Sequence, residues 1–568
     1  MATTTSATST PAATTQTAAT TTTNYNYSAS TEDIDWNALV EVAVAAKQTR
    51  AVTIDRKIDA NEASIAAYDE MQSLLQGVVD AASSIRGSDN SLIEKDGIFS
   101  QRAAYLTSVG NVNAEAAVVV TAEPDATITT YDLKILQLAT AQKIASADVA
   151  DNLTDLGFNG TFNIGLDTVE PVEVTIEEDM TLDEIAEAIN IASEKSGVSA
   201  TVVKVTESSY KLILSGNETG QNISMTAVSG DDIAEELGLT DSNGIFVNEL
   251  QASQASIINL DGVEITRSTN QIDDLIDGVA FSIYQETGEA NSVAVEISND
   301  LGAIKQTVTD VVEAYNAYRE WAITQQAVTA GGNASDEAVL FADSTLRSAN
   351  TAIADALSTV IDKESMAFLG LSYDTSNMLV LDETELNDAL LSDLDIVEDI
   401  LTFKMDASST DIAILNRPAN MPEDLKLDIT VDNDGNLASA SVDGDSSLFT
   451  ISDSRIQGAE GSIYEGITFV FTGNKSQSID MTFSSGIAEK LYSAIDIYSN
   501  EEGGLLEGLM SSLTDTNDDL LEDSTEIKSR AESYRSTLAA RYSRYQAAIA
   551  EAESTLSYLE ALLNTGND

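Results

Sequence analysis

Apolar positions in the last stretch of the chain fall at Leu520, Ile527, Ala531, Tyr534, Leu538, Tyr542, Tyr545, Ile549, Ala552, Leu556, Leu559 and Leu563, in steps mostly of three and four. That rhythm lines one stripe of a long α-helix. Two successive steps of four, at Tyr534, Leu538 and Tyr542, form a stutter that relaxes a left-handed supercoil without ending it. Roughly 44 residues at about 1.5 Å rise span about 66 Å, so the stripe predicts a helix longer than an ordinary domain body and in need of a partner. Near the other end Ile54, Ile58, Asn61, Ile65, Tyr68, Gln72, Leu75, Val79 and Ala82 keep the same rhythm without proline, and Gly87 supplies a stop. Residues 33–46 predict an earlier helix with Trp36, Leu39, Val40, Ala43 and Val44 on its apolar face, running on toward that seam. Either helix alone reads equally well as a core helix; both together predict paired terminal helices around whatever lies between.

What lies between changes period. From residue 116 short alternating runs rich in Thr, Val, Ile and Tyr predict strands, at 117–121 and 126–138. Thr181-Leu182-Asp183-Glu184 is a capping box opening a helix that carries Ile185, Ala188, Ile189 and Ala192 and stops at Gly197. A hairpin follows, 200–205 with 210–214 around Glu207-Ser208-Ser209, then strands at 256–265, 279–284 and 293–297. Helical patterns occupy 301–323, 339–360 and 382–400, and a second β-rich run fills 404–486. Gly503-Gly504 predicts a bend before a helix bearing Leu506, Leu509 and Leu513.

The fold class is therefore multidomain α+β, with N- and C-terminal helices forming a coiled-coil or helical-bundle stalk and β-rich head domains inserted between them. The boundaries expected are a Thr/Ala-rich disordered tail over 1–32, leg and stalk helices over 33–108, and a β-rich head built from 109–138 and 250–300. An α/β domain is inserted at 139–249, a helical stalk domain follows at 301–403, an extra β module at 404–486, and stalk and leg helices at 487–568. Because the module at 404–486 interrupts a helical region, its deletion is expected to leave the stalk intact.

Composition narrows the function. The charge sum is 28 minus 94, or -66, which repels phosphate and argues against nucleic-acid or anionic-membrane partners. Such a surface suits salty surroundings, where screening weakens self-repulsion. With no cysteine and no histidine, disulfides, thiol nucleophiles, imidazole bases and the usual zinc ligands are excluded. Residues 1–31 lack the basic and apolar regions of a secretory signal, and no run reaches the roughly 18 apolar residues of a membrane span, so no membrane insertion is expected.

Candidate chemistry is sparse. Asp432, Asp434 and Gly435 look like part of a calcium loop, but with Gly435 at its sixth position Thr430 and Ser441 would fill the first and twelfth, where carboxylates are required. A hairpin turn is the better reading, as it is for Asp443-Gly444-Asp445. Acidic clusters at 393–399 and 515–519 read as solvated faces and caps. No phosphate loop, nucleophile elbow or dinucleotide fingerprint occurs, so neither an enzyme nor a cofactor is expected.

Several stretches in order resemble the flagellar filament cap protein family, hook-associated protein 2. They include the strand from Tyr131 through Asp132, Leu133, Lys134, Ile135, Leu136, Gln137 and Leu138 to Ala139, the unit from Thr181 to Thr219-Gly220, Arg267-Ser268-Thr269-Asn270, Asp274 to Val279, Val312 to Asn316, Leu369-Gly370-Leu371 and Leu379 to Asp382. The chain departs from the family at Ala342, where Gly often precedes the Asp, at Asn377, where a turn Gly is common, and at Tyr545, which replaces a frequent Phe. The resemblance implies a structural assembly factor at the distal tip of a bacterial flagellum, exported by the flagellar type III route without a cleaved signal peptide. The partners it implies are copies of itself in a ring of five, flagellin, hook–filament junction proteins and a cytoplasmic export chaperone. A flagellin-like filament or junction subunit and a surface adhesin or surface-layer protein are the alternative classes.

The residues expected to carry stalk and leg packing and assembly are Ile54, Ile58, Ile65, Leu75, Val79, Ile527, Tyr534, Leu538, Tyr545, Ile549, Leu556, Leu559 and Leu563. About ten seam residues at roughly 1.5–3 kcal/mol each gain less than ordering about 40 helical residues costs at roughly 1–2 kcal/mol each. Residues 1–50 and 535–568 are therefore expected to order only on assembly.

Overall fold

The computed structural model describes residues 35–88, 97–124, 126–418 and 421–564. The tail expected over 1–32 lies outside the described residues. Chain contacts divide the molecule into two bodies, one of residues 1–65 with 510–568 and one of 66–509.

The terminal body is made by two helices. Trp36–Arg86 starts where the Asp35 carboxylate accepts from the Ala38 N–H at 2.9 Å, and ends before Gly87 at φ +78°, a left-handed stop that costs glycine little. The last helix runs without interruption through Leu505–Asn564. It therefore begins earlier than the seam from Leu520 implied, and Leu506, Leu509 and Leu513 lie on it rather than on a separate helix. Gly503 and Gly504 precede its first turn, where Glu507 accepts from the Gly503 N–H.

In the second body, a five-stranded antiparallel sheet runs Arg102–Val109, Ser292–Asn299, Thr129–Gln137, Ser256–Leu260, Val263–Arg267. Together with the three-stranded sheet of Gln271–Ile276, Val279–Ile283 and Val118–Ala122, it encloses Leu133, Ile135, Ile258, Phe281, Val293 and Val295. Strand Arg102–Val109 falls inside the segment expected to be leg helix; it pairs residue for residue with Ser292–Asn299, so the β head starts before residue 109. The 139–249 insert holds a four-stranded and a three-stranded sheet whose shared core includes Ile185 and Ile189 of helix Leu182–Ser196. Its capping box forms, the Thr181 hydroxyl accepting from the Glu184 N–H while the Glu184 carboxylate accepts from the Thr181 N–H at 2.8 Å.

Helices Leu301–Gln325, Ser344–Leu357 and Ile487–Ser499 follow the same apolar logic, with Ile304, Val308, Tyr318, Ile353, Leu491 and Ile495 buried. The helix expected over 339–360 is shorter because Asp343 caps it, accepting from the Leu346 N–H at 2.8 Å. The one expected over 382–400 divides at Asp393 into Glu383–Ser392 and Leu394–Leu401. The module at 403–485 is a sandwich of two four-stranded sheets around its own core of Ile414, Leu427, Ile456, Phe469 and Ile479. Asp432 closes the turn expected of it, its carboxylate accepting from the N–H groups of Asp434 and Asn436, both at 2.9 Å.

Both departures from family glycines, Ala342 at φ +61° and Asn377 at φ +58°, have left-handed backbone. Asn tolerates it, while an alanine Cβ is strained there. Ala342→Gly is expected to raise stability by about 0.5–1 kcal/mol, with Asn377→Gly closer to neutral, as read by chemical denaturation.

Candidate assembly surface

Within the terminal body the two helices run antiparallel, and each contact steps forward on one as it steps back on the other. Trp36 meets Tyr542 with ring centres 5.2 Å apart, Arg535 donates to both carboxylate oxygens of Glu41, and the Lys47 ammonium lies 5.6 Å from the centre of the Tyr534 ring. Further along, Ser524 and Lys528 donate to Asp55 at 2.6 and 2.9 Å, and Asn61 donates to Asn517 at 2.8 Å. Between these polar rungs Val40, Val44, Ala531 and Leu538 form a small buried cluster, joined by Ala43 and Tyr542. Small residues at Ala51, Ser524 and Ala531 are buried on the same seam.

The Lys528 and Ser524 hydrogen bonds hold the Asp55 carboxyl below its usual 3.8. A lowered folded-state pKa contributes stability that is present above 3.8 and is lost as pH falls through the lower folded value. The stability difference between Asp55→Asn and the parent chain is expected to be constant above about pH 5 and to shrink below 3.8, followed by denaturant titration at stepped pH. The group is solvent-exposed, so the difference is small.

The expected assembly residues fall into three groups. In the terminal body Ile54 and Leu538 are buried, and Ile58, Ile65, Ile527 and Ile549 are half-buried. Leu75 and Val79 are buried in the second body, where the same helix meets other partners: Tyr68 donates to Asp343 at 3.0 Å and Gln72 donates to the Ser499 carbonyl at 3.1 Å. The seam expected to face one partner throughout therefore divides near residue 65. Tyr534, Tyr545, Leu556 and Leu559 are exposed, Leu559 at 52%, and the side chain of Leu563 lies outside the described residues.

Sequence periodicity did not identify the polar rungs, because Asp55, Ser524 and Asn517 look like any other polar helix positions. The signal that does exist is their placement on the apolar seam itself, where Asn61 had already broken the hydrophobic rhythm. Beyond Tyr545 every described residue except Ile549 is exposed, and Leu556, Tyr558 and Leu559 present an exposed apolar surface. Among the described residues no cluster of three or more carboxylates could hold a metal ion, and no helix is long and apolar enough to cross a membrane.

Comparison with known proteins gives three family matches along the chain. The model of the flagellar hook-associated protein 2 N-terminus matches residues 32–142, that of its C-terminus matches 253–554, and the flagellin hook IN motif matches 159–218. The B-type flagellar hook-associated protein 2 of Pseudomonas aeruginosa is 24% identical over 384 residues, covering 64% of this chain and 77% of that protein. The Escherichia coli hook-associated protein 2 is 26% identical over 379 residues, with 63% and 76% covered, and the Salmonella typhimurium protein is 30% identical over 233 residues, with 39% and 49% covered. Among solved structures, the D1-D2-D3 domains of the flagellar cap protein FliD from Escherichia coli align at 23% identity and a TM-score of 0.44, over 59% of this chain and 89% of that one.

Proposed function

The chain belongs to the flagellar hook-associated protein 2 family, and from that premise we propose that it caps the distal end of the flagellar filament and promotes the folding and polymerisation of flagellin there. The observation that carries this reading is the last helix beyond Tyr545, on which Leu556, Tyr558 and Leu559 are exposed. Exposed apolar side chains along a helix gain about 25 cal/mol per Å² when another surface covers them, which suits a leg that anchors in the filament end. In this reading the β-rich domains form the plate of a ring of copies, probed as a pentamer by native mass measurement. Flagellin is added beneath the plate, and hook–filament junction proteins receive the first ring. The same helix is where a cytoplasmic export chaperone would cover the apolar stripe before passage through the flagellar type III route.

Deletion of the gene tests the reading. A cap predicts unpolymerised flagellin released into the medium and short or missing filaments; filaments of normal length in the deletion strain would overturn it. Immunolabelling separates a cap, marked at filament tips alone, from a filament subunit, marked along the whole length.

A further inference from the structure

The last helix changes charge sign along its length. Between 515 and 526 it carries six carboxylates and no base; between 528 and 544 it carries Lys528, Arg530, Arg535, Arg541 and Arg544 against the single acid Glu532. In a chain of net charge -66 the second stretch is a basic segment, matched only on the first helix by Lys47, Arg50, Arg56 and Lys57 around the single acid Asp55. Lys528 and Arg535 are engaged across the helix pair and Arg530 pairs with Glu526 one turn away, whereas Arg541 and Arg544 have no ion-pair partner among the described residues.

At 3.6 residues per turn, Arg530, Tyr534, Arg541 and Tyr545 share one exposed flank, and Asp519 and Asp523 lie on the same flank of the acidic stretch. Lys47 lies over the Tyr534 ring, so the first helix adds a base to this side. The flank therefore reads acidic and then basic-aromatic, with the change of sign near Glu526.

We propose that this flank is a self-complementary docking surface for a second copy, in which the two last helices lie antiparallel with Arg541 of each level with Asp523 of the other. An antiparallel copy turned about Glu532 brings Arg541 and Arg544 of each helix level with Asp523 and Asp519 on the acidic stretch of the other, and places each Arg530 near the partner's Tyr534 face. Two copies side by side and pointing the same way would instead set basic segment against basic segment. Nucleic acid or an anionic membrane would have to overcome the charge of the rest of the chain. The contact goes beyond the ring reading, since it is a second mode of association that brings different residues together.

The chain has no cysteine, so single exposed cysteines report the register directly. Oxidising a mixture of full-length Thr516→Cys and Ala548→Cys chains at low salt is expected to give the 516–548 cross-link, slowing by roughly tenfold or more in 1 M salt, where screening shortens from about 10 to about 3 Å. Arg541→Glu with Arg544→Glu on the Ala548→Cys chain should abolish it, and Asp519→Lys with Asp523→Lys on the Thr516→Cys chain should restore it. A 548–548 cross-link from Ala548→Cys alone, with none between 516 and 548, would overturn the antiparallel contact and leave the ring reading standing. No cross-link in either mixture, or one insensitive to salt and charge reversal, would overturn it as well.

Discussion

Glu489→Ala is expected to cost about 3–5 kcal/mol, the range for stripping the partner from a buried charge, and Glu489→Gln most of that. Glu489 is 3% exposed on helix Ile487–Ser499, and its carboxylate oxygen Oε2 accepts from Arg86 Nε and from Arg417 Nη2, both at 2.8 Å. The two guanidinium groups are themselves buried. Arg86 packs 3.9 Å from the centre of the Tyr492 ring, and Arg417 packs 4.4 Å from that of Phe403 while also donating to the Ser88 carbonyl at 2.7 Å. Arg417 belongs to the β sandwich and Arg86 to the end of the first helix, so one carboxylate ties the inserted module to the helices beside it. Removing it takes from both guanidinium groups the carboxylate they share. Chemical denaturation reads the loss, and hydrogen exchange at 403–485 should rise more than in the head sheets. A stability within about 1 kcal/mol of the parent chain for Glu489→Gln would show that the cluster contributes orientation rather than stability.

Leu538→Ala is expected to open the terminal helix pair. Its side chain is the largest of the four buried in a cluster with Val40, Val44 and Ala531, against which Ala43 and Tyr542 also pack. The loss is about 2–3 kcal/mol, the low end for a buried leucine because the cluster is small. Since that pair is a body of its own, amide exchange should accelerate over 36–50 and 528–542 and stay unchanged at Leu75 and Val79 in the second body. In the parent chain the same experiment should show protection reaching Tyr542 and fading from Tyr545 onward, where the partner helix no longer covers the stripe. Ordering only on assembly is then a property of the stretch past Tyr545 rather than of everything from 535. Protection of Leu556 to Leu562 equal to that of Leu538 in the isolated chain would contradict this.

Periodicity made the long elements legible. A step of three and four repeated over many turns gives a helix, and alternation in Val279–Ile283 gives a strand, whereas the strand expected over 256–265 is a hairpin of Ser256–Leu260 with Val263–Arg267, because Asp261 and Gly262 take left-handed backbone. Arg102–Val109 was missed because Ala103, Ala104 and Leu106 carry no β-branched signal; its conformation is set by the full register with Ser292–Asn299, far along the chain. Lys143–Ala145 and Glu249–Gln251 are too short for any pattern and exist as strands because the hairpin at 198–216 gives the first an edge and the first gives one to the second. The buried Arg86–Glu489–Arg417 cluster was equally invisible, since one glutamate among 94 acidic residues announces nothing until two distant arginines converge on it. At the assembly surface the apolar stripe was readable but its cover was not: which leucines are buried depends on where the first helix begins.

The sandwich at 403–485 leaves the chain where it entered, because its first strand pairs with its last and Phe403 sits directly across from Ser485. A span of about 5 Å between those Cα atoms is closed by one or two residues. The position is thus a ready cassette site, where foreign sequence of unrelated fold can be exchanged for the native one and displayed, provided that Glu489 is kept so that buried Arg86 retains its carboxylate once Arg417 has gone with the module.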